Sequence, residues 1–181
     1  MTKRQILLLR HAKSSWDDYD LSDHDRPLSA RGLRCGELLR DFFRHEHIRP
    51  DLVLVSSARR ALETLEALEL PPPAPVETLR PLYHAPPQAI LEILRAAPDA
   101  ARVLLLIGHN PGLQEFAMQL CAARADPRFL RMADGFPTGA FAAFEIDDSG
   151  IADSWTQLAM GRGRLTRFIT PKQLERAQSG A

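Results

Sequence analysis

Hydrophobic residues gather in three short unbroken runs, at residues 6–9, 52–55 and 103–107, each closed by polar or glycine-containing sequence. A strand with one wet face alternates apolar and polar side chains, whereas a strand covered on both faces reads as continuous Leu, Val and Ile. The three runs therefore predict buried strands of a parallel sheet.

Helical spacing fills the gaps. Residues 33–45 carry Leu38, Leu39, Phe42 and Phe43 on one side, and residues 58–68, after Ser57, carry Ala61, Leu62, Leu65 and Leu68. Residues 88–97 follow Pro86 and Pro87 and present Ile90, Leu91, Ile93 and Leu94, while Pro111 is placed to open a helix over 112–123. Alternating strand and helix predict an α/β fold, a three-layer helix–sheet–helix sandwich with a mostly parallel central sheet. Residues 71–75 read as a proline-rich surface turn, and 75–79 as a short strand-like piece. Residues 140–146 and 154–160 read as two later strands, antiparallel and joined by a turn at 147–150. The chain is expected to form one domain, 1–181, frayed from about Gln178.

Composition narrows the function class. The 181 residues are 45% hydrophobic and 25% charged, with Lys plus Arg and Asp plus Glu both at 23. That balance argues against a nucleic-acid protein, which needs a basic excess, yet leaves room for a local anion pocket. Cys35 and Cys121 lack any C-x-x-C spacing and are expected as buried free thiols. The apolar stretch before Arg10 is too short for a signal peptide or a membrane span, so a cytoplasmic protein without membrane contact is expected.

Ligands of open α/β sheets bind beyond the carboxyl ends of the strands. The first run is followed there by Arg10 and His11, the second by Ser56, Ser57, Arg59 and Arg60, and the third by Gly108, His109 and Asn110. Two imidazoles, at least two guanidiniums and two helix N-termini thus reach one edge. Arginine grips phosphate oxygens with a planar fork, helix N-termini offer free N–H groups, and a neutral imidazole is a competent nucleophile near pH 7. Such a set suits phosphoryl transfer, which needs positioning and charge stabilisation above all. A single histidine after a strand would more often be a loop or core residue; the convergence of both with Arg60 reverses that reading.

The ordered motifs resemble the histidine phosphatase superfamily (phosphoglycerate mutase-like), in particular its compact SixA-like branch of phosphohistidine phosphatases. Arg10-His11 resembles the Arg-His-Gly signature with Ala12 in place of Gly, and Arg26-Pro27-Leu28-Ser29 with Gly32 resembles the Leu-Thr-x-x-Gly element. Ser56 to Ala61 with Thr64 resembles the Ser-Pro-Ala-x-Arg-Ala-x-x-Thr segment, and Gly108-His109-Asn110-Pro111 the second-histidine motif. With Pro137-Thr138-Gly139, these matches cover nearly the whole chain in order. The resemblance implies that His11 takes the phosphoryl group and that Arg10, Arg60 and His109 surround it, with Arg26 a further phosphate-binding candidate. Asp23, Asp25 and Arg26 read equally well as a solvated loop. Arg59 is taken as the non-catalytic neighbour of Arg60. Neither cofactor nor metal is implied.

Larger members of the superfamily carry an acidic proton donor in mid-chain. Here only Glu77 lies in the right region, and residues 79–84 offer no carboxylate. An alkoxide leaves poorly without a general acid, whereas an imidazole leaves easily, its conjugate acid lying near ~6.5. The chain therefore reads as a phosphatase acting through phosphohistidine at His11 on protein phosphohistidine. A small-molecule phosphomonoesterase and a non-catalytic phosphate-binding module are the alternatives. A monomer with a phosphorylated protein partner, and no nucleic acid, is expected.

Other chemistries fit less well. Neither cysteine has Arg six positions on: Asp41 and Pro127 stand there, so a cysteine phosphatase is excluded. Asp18 to Ser22 follows no apolar strand and reads as a polar loop over the entrance. His45 and His47 fall on different helix faces and make a poor metal pair. His24 and His84 lie in loops near the expected entrance or on plain surface. Arg162, Arg164 and Arg167 form a basic stretch, read as solvated surface with docking of an acidic partner as a second reading.

Overall fold

The computed structural model describes residues 3–71, 74–146 and 154–179. Its centre is a six-stranded sheet of order β3-β2-β4-β1-β5-β6. The strands are β1 (Gln5–Arg10), β2 (Leu52–Ser56), β3 (Val76–Leu79), β4 (Val103–Gly108), β5 (Phe141–Ile146) and β6 (Gly163–Ile169). Strands β3, β2, β4 and β1 run parallel, and β5 and β6 join antiparallel at one side.

The continuous apolar runs are explained by two cores. Ile6, Leu8, Leu52, Leu54, Leu104 and Leu106 face one side, and Leu7, Leu9, Val53, Val55, Leu105 and Ile107 the other. Against the first side lie α3 (Pro87–Arg95), α4 (Gly112–Leu120) and α5 (Pro127–Asp134). The second is covered by α1 (Ala30–His45) and α2 (Arg59–Leu68), with α6 (Pro171–Ser179) docked on α1 and contributing Leu174. The three-layer sandwich expected from the alternation is thus the observed architecture.

Local signals fix the helix starts. Ser29 caps α1, its side chain accepting from the Gly32 amide at 3.1 Å, and Arg44 and His45 in the last turn oppose the negative end of the helix dipole. Gly112 opens α4 where the chain passes directly against the turn at Ala85. A Cβ there would fall inside the van der Waals radius of the Ala85 carbonyl oxygen. Gly112→Ala is accordingly expected to cost about 1–3 kcal/mol, read as a lower urea midpoint; an unchanged midpoint would mean the helix end slides aside freely.

Several expectations need correction. Residues 154–160 are not a strand: Trp155–Gln157 form a single 3-10 turn. Trp155 is fully buried, its indole N–H donates to the Ala101 carbonyl at 2.7 Å, and the Arg4 guanidinium lies 4.8 Å from its ring. Anchoring by that large side chain outweighs any strand propensity of the neighbours. The antiparallel partner of β5 is instead β6, and a bulge breaks their register between Ala143 and Phe144. The joining turn at 147–150 lies outside the described residues. Arg164 and Arg167 are the polar face of β6 and bond to Glu145 and Glu46, so the basic stretch is largely neutralised within the chain. Helix α4 ends at Leu120, not at 123, with Pro111 as its N-cap residue and not its first helical one. Helix α6 runs through Gln178 to Ser179, where fraying was expected. Cys35 and Cys121 are both free and buried, and burial pushes the Cys35 thiol up to about 11. Among the described residues no helix is long and apolar enough to cross a membrane.

Candidate active site

Register decides where the chemistry emerges. Arg10 pairs with Gly108 across β1 and β4, and Val55 pairs with Ile107 across β2 and β4, so three parallel strands end side by side. The His11 amide adds one more bond, to the Gly108 carbonyl at 3.1 Å, carrying the pairing into the loop. On the other side of β1 the Gly139 amide donates to the carbonyls of Arg10 and His11 at 3.0 and 3.1 Å. Gly139 holds φ at +77°, and a Cβ there would strike Cys35, so both backbone and space require glycine.

Four of the residues singled out by the sequence meet at this edge. The rings of His11 and His109 are 4.8 Å apart between centroids and are 7% and 3% exposed. Arg60, from the first turn of α2, joins them: its Nε donates to His11 Nε2 at 3.3 Å and its Nη2 to His109 Nδ1 at 3.4 Å. Arg10 is held by a bond from Nη1 to the Phe136 carbonyl at 2.8 Å, and its buried Nε has no hydrogen-bond partner among the described residues. Asn110 donates to the same Phe136 carbonyl at 3.1 Å.

The imidazoles are poised as neutral bases. His11 Nδ1–H donates to the carbonyl of Ala12 at 2.7 Å, which leaves the lone pair on Nε2 facing Arg60. Burial lowers the His11 imidazole to about 4; the Ala12 bond works against this, and the charges of Arg60 and Arg10 add to it. Burial, then the neighbouring His11 and Arg60, take His109 to about 2. Its Nε2 lies 2.7 Å from the Ser56 hydroxyl, which fixes the ring from behind. Arg10 is lowered as well, by burial and by the charge of Arg60. One pocket of converging like charge and unpaired donors is the electrostatic signature of an anion site. Thr64 braces the loop, accepting from the Ala12 amide at 3.0 Å and donating to the Arg60 carbonyl at 2.6 Å.

The surroundings hold residues that sequence reasoning missed or misread. Asp23, for which a solvated loop was one of two equal readings, lies in the 3-10 turn Asp23–Asp25 and reaches the site. Its Oδ2 accepts from Arg60 Nη2 at 2.9 Å and from the Tyr83 hydroxyl at 2.6 Å, and its backbone carbonyl takes a further bond from Arg60 Nη1. The Tyr83 bond and Arg60 hold the Asp23 carboxyl down at about 2. His84 Nε2 stands 3.5 Å from the same oxygen, and His24 Nε2 is 2.9 Å from the Ser57 hydroxyl, so both loop histidines line the entrance. Glu77 does not: it is exposed on β3, paired in register with Leu54, below the strand ends. Arg26 is 8% exposed, stacks 3.9 Å under the Trp16 ring, and keeps Nε and Nη1 without partners among the described residues. It is not hydrogen-bonded to the His11–Arg60–His109 group. Arg59 pairs outward with Glu63 at 2.7 Å, as expected of the non-catalytic neighbour.

Residues 6–83 match the family described as Histidine phosphatase superfamily (branch 1). An uncharacterized protein of Mycobacterium tuberculosis is 31% identical over 166 residues, covering 91% of this chain and all of its own length. The chain belongs to the histidine phosphatase superfamily. Among its SixA-like members, the phosphohistidine phosphatase SixA of Escherichia coli K12 is 27% identical over 150 residues, covering 81% of this chain and 88% of that protein. A solved structure of the protein histidine phosphatase SixA complexed with tungstate superposes with a TM-score of 0.74 at 25% identity, covering 94% of this chain and 99% of that one. A histidine phosphatase fold implies phosphatase activity.

Proposed function

We propose that the chain is a phosphohistidine phosphatase that works through a covalent intermediate on His11. The carrying observation is the His11 tautomer: Nδ1–H is tied to the Ala12 carbonyl at 2.7 Å, so the neutral Nε2 points its lone pair into the guanidinium cluster. Attack by that nitrogen on phosphorus forms the new N–P bond while the substrate's bond breaks and its electron pair leaves with the departing group. Arg60 and Arg10 neutralise the equatorial oxygens, while His109, whose Nδ1 accepts from Arg60 Nη2, keeps that guanidinium aimed at the same group. Water then attacks the phosphohistidine, the N–P electrons return to Nε2, and inorganic phosphate is released.

The substrate class follows from what the site lacks as an acid. Asp23 is the carboxylate bonded into the site among the described residues, and at about 2 it stays ionised near neutrality. An alkoxide would leave without a proton donor, whereas an imidazole needs none. The solved relative's name, protein histidine phosphatase, agrees with this reading. The deciding measurement compares kcat/KM for a phosphohistidine peptide, a phosphoserine peptide and a sugar phosphate. The phosphohistidine peptide is expected to lead, and faster turnover of either ester would overturn the assignment.

A further inference from the structure

Resting on the phosphohistidine reading, we propose that Asp23 sets substrate preference: its carboxylate accepts the N–H of the leaving imidazole's second nitrogen and repels the doubly charged phosphate ester. The residue stands at the right depth. The Asp23 side chain is 45% exposed, whereas the Arg60 side chain that it caps is 5% exposed. The nucleophile His11 and its partner His109 are buried beneath. A phosphoryl group drawn down to Arg60 and His11 therefore leaves its departing group on the mouth side, where the carboxylate is fixed. Arg60 links the two ends, with Nε toward His11 Nε2 at 3.3 Å and Nη2 toward Asp23 Oδ2 at 2.9 Å.

The rim beside the carboxylate suits a flat heteroaromatic leaving group. Tyr83 and His84 lie 4.2 Å apart between ring centroids, and each is 5.5 Å from the His109 ring. His24 closes the group with its ring 5.0 Å from Tyr83. His84 is held with φ at 53°, in the left-handed region that non-glycine residues enter only when surroundings enforce it. These are planar faces at the height of the carboxylate, the arrangement that stacks an imidazole and offers an acceptor to its edge.

Charge supplies the discrimination. An alkyl phosphate brings about −1.5 to −2 charges near neutral pH, all of them beside an ionised Asp23 that shares its guanidinium. A phosphohistidine protonated on its second ring nitrogen carries one positive charge more, placed where Asp23 accepts its hydrogen bond. In the transfer step the P–N bond breaks, its electron pair stays on the departing nitrogen, and the second nitrogen keeps its proton. The group leaves as neutral imidazole, and Asp23 neither gains nor loses a proton. Asp23 thus acts on the substrate's charge without serving as a general acid.

Asp23→Asn preserves shape and removes the charge. Its kcat/KM ratio for a phosphohistidine peptide over a phosphoserine peptide is expected to fall about ten- to a hundredfold. Inorganic phosphate should at the same time inhibit the variant at lower concentration than it inhibits wild type. Tyr83→Phe, which keeps the ring but releases one bond to the carboxylate, should shift the ratio the same way by less. An equal loss on both substrates with weaker phosphate inhibition would show that Asp23 only braces Arg60, and would overturn the proposal while leaving the phosphatase assignment standing. If wild type itself prefers the phosphoserine peptide, the phosphohistidine reading fails first, before any variant is compared.

Discussion

His11→Ala is expected to lose at least about ten-thousandfold in kcat and to carry no phosphoryl label at all. The reason is that His109, the other imidazole at 4.8 Å, is not an equivalent substitute. Its ring is pinned through Nε2 to Ser56, and its Nδ1 meets Arg60 Nη2. Neither nitrogen presents a free lone pair to a phosphorus atom held by Arg60 and Arg10. Wild type incubated with a labelled phosphodonor should keep label through alkali and lose it in acid, the behaviour of an N–P bond. The variant removes a small buried ring without touching the backbone bonds of the loop, so it should fold and retain phosphate binding. Label persisting on the variant would move the nucleophile to another residue.

Arg60→Ala is the second large effect, a loss of about a thousandfold in kcat. This guanidinium contacts both imidazoles and Asp23, so its removal strips the equatorial oxygens of their main counter-charge and leaves the Asp23 carboxylate facing the phosphate unopposed. The variant should therefore bind inorganic phosphate poorly as well as turn over slowly. Arg60→Lys restores the charge but not the fork, and a lysine amine cannot span His11 and Asp23 at once. It is expected to recover phosphate binding more than kcat. Full recovery of kcat by lysine would show that charge alone suffices.

The sheet was legible because its physics is local: residues buried on both faces must be apolar at every position, as in Leu7, Leu8 and Leu9. The chemistry at the strand ends followed from the same rule, since parallel neighbours that start together finish together. Strand β6 was hidden because its polar face is Arg164 and Arg167, which reads as basic surface until Glu145 and Glu46 pair with it. Helix α5 had its signals, an Asp126 cap and Pro127 at the first position, but Arg128 and the exposed Leu130 blur its apolar face. Helix α6 buries no residue, and Leu174 is its one large apolar side chain. Asp23 was unreadable for a different reason. It is 37 residues from Arg60 and 60 from Tyr83, and no local pattern distinguishes a loop aspartate that meets an arginine from one that meets water. The one clue was its place three residues ahead of Arg26, where the matching motif begins.

The bond that orients His11 ends on the peptide oxygen of the next residue, so every amino acid at position 12 supplies it. Enzymes that steer a histidine with an aspartate can be disarmed by exchanging that aspartate; here the acceptor is a main-chain oxygen, which no exchange of a side chain deletes. Drift around this histidine can reshape what enters and leaves, while the group that aims its nucleophilic nitrogen stays present as long as Thr64 and Gly139 hold the loop.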